Sequence, residues 1–232
     1  MRVGSARRGA AITLCVAPTP TSRTTVRRHP ERGRYDRATI DAILDEALVC
    51  HVGFVHDGQP FVIPTIHARA GDVLYLHGSK GSRMLRALAG GIDVCVTVTL
   101  LDGIVLARSV YNHSLNYRSA VVLGRALAVE EREEKLAALE AIVEHIAAGR
   151  SRDARAPSEE ELKATAVLAL PLDEASAKVR TGPPGDFEQD LDLPIWAGVI
   201  PLALVAGAPE ADEGAAGLPV PGYASAYRRP SA

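Results

Sequence analysis

Apolar residues between Arg34 and Gly207 recur at two spacings, one helical and one alternating, and the changes between them divide the chain into elements. Ile40, Ile43, Leu44, Ala47 and Leu48 follow Asp36 at helical spacing, which predicts an amphipathic helix capped by the aspartate. Val49 to Val55 and Phe61 to Arg69 are β-prone runs joined by His56-Asp57-Gly58-Gln59, and the Asp-Gly step there predicts a tight hairpin. A turn at Ala70-Gly71-Asp72 leads to Val73 to His77, so three strands form a meander, and Met84 to Ala89 predicts a short helix. Ile92 to Leu101 alternates, with Ile92, Val94, Val96, Val98 and Leu100 on one face. Asp102-Gly103 then reads as a turn into Ile104 to Val110, and Tyr117 to Val129 as another long strand.

Residues 130–148 predict a helix with an apolar stripe of Leu136, Leu139, Ile142, Val143 and Ile146, ended by Gly149. Pro157-Ser158-Glu159-Glu160 starts a short helix, Thr165 to Leu172 returns to strand character, and Trp196 to Val205 is a final β-like segment. Several antiparallel strands with tight turns make the fold mainly β with helices, a barrel or sandwich rather than a parallel sheet. The ordered domain is expected over 34–207, between an arm at 1–33 and an Ala/Gly/Pro-rich acidic tail at 208–232, both read as disordered on composition.

Charge sharpens the division. The 232 residues carry a net charge of -2, yet residues 1–34 hold eight arginines and one acid, so that segment carries +7 and the rest -9. A segment of that kind can touch an acidic partner, but its composition fits an unstructured extension better than a nucleic-acid arm. Hydrophobic stretches are interrupted well short of the roughly 18 to 20 residues that a spanning helix needs, so no membrane partner is expected. Cys15, Cys50 and Cys95 are too few and scattered for a disulfide framework, which fits a reducing, cytoplasmic compartment.

Two stretches carry candidate chemistry. In the first, the strand Leu74 to His77 empties into Gly78-Ser79-Lys80-Gly81-Ser82-Arg83. Glycines there admit close backbone approach, Ser79 and Ser82 offer hydroxyls, and Lys80 and Arg83 bring charge to a helix start, the parts of a site for a monoester phosphate. In the second, Asn112, His113, Ser114, Asn116, Arg118 and Ser119 cluster just before an apolar strand. Either stretch read alone is also compatible with an ordinary polar loop.

Taken together and in order, Tyr35-Asp36-Arg37-Ala38-Thr39, Cys50 to Val55, Ile63-Pro64-Thr65, Tyr75 to Ser79, Asn116 to Ser119, Ser176 to Pro184 and Trp196 to Pro201 resemble the pyridoxamine 5′-phosphate oxidase-like family. The match is to its flavin-nucleotide-binding branch, which includes relatives of the nitroimidazole reductases. The resemblance implies an antiparallel split β-barrel, a homodimer, and FMN or a related flavin or deazaflavin at the subunit interface. It assigns Pro64, Thr65, Ile66 and His67 to the isoalloxazine and His77, Gly78, Ser79, Lys80, Ser82 and Arg83 to the phosphate. Asn116, Arg118 and Ser119 approach the same cofactor, and Lys178, Arg180 and Trp196 close the site. A second basic set for a vitamin B6 phosphate is not apparent, so B6 oxidation is not expected.

The spacing of histidines and cysteines is no metal signature: Cys50 and His51 are neighbours on a strand and point to opposite faces. Haem is the stronger metal alternative because one imidazole suffices, and His67 or His77 is the candidate ligand. No catalytic acid-base pair or triad stands out, which suits a flavin that itself performs the electron transfer. The expected function is therefore an FMN-dependent oxidoreductase passing electrons from a donor such as NAD(P)H to a nitroaromatic or quinone. A non-catalytic flavin carrier or sensor, and a haem-binding split barrel, are the alternatives.

Overall fold

The computed structural model of the protein describes residues 20–229, so Cys15 and most of the basic arm lie outside the described residues. The elements run in the order β1 (Gly33–Arg34), α1 (Arg37–Glu46), β2 (Val49–His56), β3 (Gln59–Ala70), β4 (Val73–Ser79), α2 (Arg83–Ala89) and β5 (Asp93–Leu106). They continue as β6 (Ser114–Arg125), β7 (Leu127–Ala128), α3 (Arg132–Ile146), α4 (Glu159–Ala164), β8 (Thr165–Pro171), β9 (Glu174–Arg180), β10 (Gly198–Pro201) and α5 (Gly222–Ser225). The strands pair antiparallel in the order β1-β9-β6-β5-β2-β3-β4-β8-β7, with β10 added to β5. This is the expected split barrel, mainly β with helices around it.

Local rules explain the starts and turns. Asp36 caps α1 by accepting from the Thr39 amide at 2.8 Å. Asp57 and Gly58 both take positive φ, as the two-residue hairpin between β2 and β3 requires. One expectation fails: Asp102-Gly103 does not turn the chain. β5 runs straight through it to Leu106, with only a register shift between Leu101 and Gly103. β10 explains the difference, because it pairs Pro201 with Gly103 and Ile200 with Ile104, giving the segment beyond the shift a ladder of its own. A side chain on Gly103 would strike Val199 at 2.9 Å. The predicted β-like run to Val205 stops at Pro201, beyond which Leu202, Leu204 and Val205 are exposed.

The barrel interior is filled by the inward residues of alternating strands, Val52 and Phe54, Leu74 and Leu76, Val94, Val96 and Val98, Ala120 and Val122, Leu168 and Leu170. α1 closes one end with Ile40, Ile43 and Leu44. Cys50 belongs to this core, and burial pushes its thiol up to about 12. α3 lies on the outside through Ala138 and Ile142, a narrower stripe than predicted, since Ile146 is exposed.

The last carbonyls of α1 have no partner within the helix, and side chains from three distant elements satisfy them. His67 Nε2 donates to Leu44 O at 3.0 Å, and His145 Nε2 donates to Ala47 O at 2.8 Å. Arg229 donates to Asp45 O and Glu46 O, both at 2.7 Å. Tyr227 adds a bond from its hydroxyl to Ile146 O at 2.8 Å. Composition suggested unstructured tails, but the described parts of both make specific contacts: Thr21 and Arg23 bind Glu174, and Arg229 binds α1.

His67 is fully buried and its ring lies 4.9 Å from that of His145. Burial, with His145 adding to it, pushes the His67 pKa down to about 4. Because the folded value lies below the unfolded one of about 6.5, the stability it contributes is complete above about pH 6.5 and lost as pH falls toward about 4. The contribution is on the order of 3 kcal/mol. Thermal unfolding measured from about pH 7.5 to about pH 4.5 checks this. His67→Gln should lower stability at neutral pH yet flatten the acid slope; equal slopes in the two proteins would contradict it.

Candidate functional site

β3 changes partner in mid-strand. Its residues through Ile66 pair with β2, the last step being Val49 with Ile66, and from His67 onward they pair with β4, starting at Leu76. Pro64 is exposed opposite His51, Thr65 and Ile66 are half-buried, with Thr65 on the face of its core partner Cys50, and His67 is sealed in the interior. One of the expected isoalloxazine contacts, His67, is thereby sealed from any ligand at the surface.

β4 delivers the cationic bend. Leu76 is buried, His77 half-buried, and Ser79 and Lys80 exposed. The bend's amides are all engaged: Lys80 N donates to Ala164 O at the end of α4 at 2.9 Å, Ser82 N to Ser79 O at 2.9 Å, and Gly81 N to Ser79 Oγ at 3.1 Å. Ser82 caps α2. A Cβ on Gly78 would meet Leu85 Cδ1 at 3.0 Å, so the glycine lets the bend pack against α2. The two cations serve different neighbours. The Arg83 guanidinium lies 4.2 Å from the centre of the Phe61 ring, whereas Lys80 lines a cavity of about 240 Å³ together with Arg86 and Lys135. Arg83 is not part of that cavity's wall.

The remaining expected contacts are already engaged. Arg118 bonds to both Glu46, at 2.9 Å from Nη2, and Asp102, at 2.8 Å, joining α1 to β5 across β6. These carboxylates raise its pKa. Asn116 Nδ2 donates to Gly182 O at 3.1 Å, and its Oδ1 accepts from buried Arg180, which also donates to Pro183 O at 3.2 Å. Ser119 Oγ donates to Lys178 O, and Lys178 Nζ to Arg28 O. Trp196 is exposed and folds over Gly198, where a Cβ would strike the indole at 2.9 Å. Asn116 and Arg180 thus form one unit, and Arg118 another, both apart from the bend at Lys80.

Sequence reasoning missed Phe61, Glu46, Asp102, Arg86 and Lys135. Arg86 was findable, lying one helical turn beyond Arg83 on α2. Glu46 lies 72 positions from Arg118, and nothing local in the sequence signals that pairing.

The outward side of the sheet is unusually apolar. Val49, Val55, Val62, Leu101 and Ile200 are exposed on neighbouring strands, and Val110, Tyr111, Phe187 and Trp196 on the loops beside them. Tyr111 and Phe187 stack at 6.1 Å. Single exposed apolar residues are ordinary, but a surface with this many is the kind that a partner or a flat ligand covers. Several polar atoms beside it are buried without a hydrogen-bond partner: His77 Nδ1, Ser109 Oγ and Asn112 Nδ2. Burial also lowers the pKa of His77, which disfavours its protonated form.

Comparison with known proteins agrees with the fold. A family profile described as pyridoxamine 5′-phosphate oxidase matches residues 36–179. The chain is similar to the flavocytochrome Anf3 from Azotobacter vinelandii, at 42% identity and a TM-score of 0.85, covering 91% of this chain and 99% of that one. It is also similar to an FAD and heme binding protein from Mycobacterium smegmatis, at 39% identity and a TM-score of 0.80, covering 83% and 95%. A candidate 5-nitroimidazole antibiotic resistance protein from Bacteroides thetaiotaomicron shares 28% identity with a TM-score of 0.52, covering 63% and 86%. No curated protein matches the chain.

The Arg118 cluster leads to a stability prediction. Arg118→Ala leaves two part-buried carboxylates facing each other, and should cost about 2 kcal/mol in denaturant unfolding, after discounting for partial exposure. A loss below about 0.5 kcal/mol would show that Arg118 does not tie α1 to the barrel.

Proposed function

The chain belongs to the pyridoxamine 5′-phosphate oxidase family, and we propose that it is a flavin-nucleotide-binding oxidoreductase working as a homodimer. One observation carries the reading: β3 changes partner between Ile66 and His67, leaving Pro64 exposed, and the hydrogen-bonded bend that ends β4 leaves Lys80 exposed on the wall of a cationic cavity. The residues fit a flavin in two respects. An apolar sheet surface suits a planar ring, and the exposed ammonium of Lys80 suits a phosphate, the amides of Lys80, Gly81 and Ser82 being engaged within the fold. FMN is the ligand expected from the sequence. The similar proteins named as flavocytochrome and as FAD and heme binding support flavin in general.

When bound, a flavin supplies the hydride and electron transfer. The chain's own residues position and shield it. Pro64, lacking an N–H, leaves one face of the strand edge free of competing donors, and Thr65 and Ile66 offer backbone groups beside it. The exposed apolar residues of β2, β3 and β5 would be covered by a second copy of the chain, which excludes water from the ring. Reduced nicotinamide is the proposed donor and a small nitroaromatic or quinone the proposed acceptor. Steady-state NAD(P)H oxidation separates this from a carrier or sensor role, in which no acceptor supports turnover.

A second reading, that haem is also held, is favoured by His77. His67 cannot serve, being buried and already bonded to Leu44 O. His77 is half-buried, its protonated form is disfavoured by that burial, and its buried Nδ1 has no hydrogen-bond partner. No cluster of three or more metal-binding side chains occurs among the described residues, but a porphyrin brings four of its own nitrogens, so a single imidazole is sufficient.

Lys80→Ala should weaken FMN or FAD binding about tenfold to a hundredfold, the value of one charge-assisted phosphate contact, while leaving riboflavin affinity within about twofold. Equal losses for riboflavin would place Lys80 away from the phosphate. For haem, a Soret band that disappears in His77→Ala but not in His113→Ala is expected, and a band indifferent to His77 would remove it as ligand.

A further inference from the structure

After β10 the chain leaves the barrel as an arm that is anchored only at its two ends. At the start, Leu202 N donates to Asp102 O at 3.0 Å. At the finish, Arg150 donates to the Tyr223 hydroxyl at 2.9 Å, Tyr227 donates to Ile146 O at 2.8 Å, and Arg229 holds the end of α1. Between these anchors, over 203–220, the hydrogen bonds among the described residues stay inside the segment: the amides of Ala215, Ala216 and Leu218 donate to the carbonyls of Asp212, Glu213 and Ala215. A Cβ added at Gly207 or Gly217 would meet nothing within 4 Å, so the arm stands clear of its own barrel at both positions.

A loop that lives in water is polar along its length, and this one is not. Leu204 and Val205 are 80% and 81% exposed, and Leu202, Leu218 and Val220 are exposed with them. Charge is confined to the tip, where Glu210, Asp212 and Glu213 lie, and no Lys or Arg occurs between 202 and 221. Two apolar limbs joined by an acidic tip have the pattern of a clasp, with limbs that gain from burial and a tip that stays solvated.

A surface that matches the limbs begins at the arm's root. β10 pairs with β5 just past Leu101, and Val49, Val55, Val62 and Leu101 are exposed on the outward face of the adjoining strands β2, β3 and β5. The arm does not cover this face in its own copy, since limbs and face are both exposed. Both unpaired apolar surfaces belong to the same chain, so a second copy is the partner that covers them together: under twofold symmetry each arm lies on the other's sheet, and every contact is made twice.

We infer that residues 202–220 clasp a second copy of this chain, the limbs lying on the partner's outward sheet face and the acidic tip remaining in solvent, each copy holding the other. The inference rests on the homodimer reading above and adds the segment that holds the dimer together.

Two measurements on the full chain test it. In analytical ultracentrifugation the unmodified protein should sediment as a dimer, whereas Leu204→Asp combined with Val205→Asp should weaken dimerisation at least about tenfold with an unchanged circular dichroism spectrum. A photo-crosslinking benzoylphenylalanine in place of Val205, in a mixture of isotope-labelled and unlabelled chains, should join labelled to unlabelled peptides and reach β2, β3 or β5. A dimer that the double variant leaves unmoved, crosslinks confined to one copy, or crosslinks that land elsewhere on the partner overturn the inference and leave the homodimer reading standing. An unmodified chain that sediments as a monomer sinks the homodimer reading itself, and this inference with it.

Discussion

The change of partner within β3 is the constraint on which the remaining geometry depends. A single strand serves β2 up to Ile66 and β4 from His67, so the barrel splits there, and the residues on either side of the split face opposite ways. Pro64 is left on the surface, His67 is driven into the interior, and β4 ends in the bend at Ser79 and Lys80, after which Arg83 returns to Phe61 of β3. If β3 kept one partner throughout, the exposed edge and the cationic bend would lie on separate parts of the sheet.

The same corner explains the treatment of α1. Sealing His67 inside costs its protonated form, but gives the helix a donor for Leu44 O, and His145 and Arg229 complete the capping of the next three carbonyls. The helix end, the long outer helix and the last described residue are thereby tied together at one point. Arg118 makes a further tie at the same end of α1, through the Glu46 carboxylate and Asp102. Neither cluster needs a ligand, and both account for residues that would otherwise be counted toward the site.

Much of the architecture was legible because local chemistry dictates it. Asp36 as a cap, Asp57-Gly58 as a hairpin turn and the alternation from Val94 to Leu100 all depend on residues within a few positions of each other. What was not legible depends on distant partners. Asp102-Gly103 reads as a turn until β10 supplies a strand for it to pair with. β9 has no bulky alternation, only Glu174-Ala175-Ser176-Ala177-Lys178-Val179-Arg180, and becomes a strand because β6 and β1 flank it. In the site, the glycine and serine bend was visible as sequence, but that Lys80 and Arg83 would serve different neighbours depended on where Phe61 and Lys135 fall in space. Charged side chains are the least predictable part, since their partners are set by tertiary contacts.

The central claim is that the corner and the bend together hold a flavin nucleotide. Mass spectrometry of the chromophore released by acid from the purified protein, read beside its absorption spectrum, tests this most directly. The account predicts a flavin nucleotide mass with the paired visible and near-ultraviolet flavin bands, with or without a Soret band beside them. A colourless protein that takes up no flavin on addition, or a haem spectrum with no flavin mass at all, would contradict it.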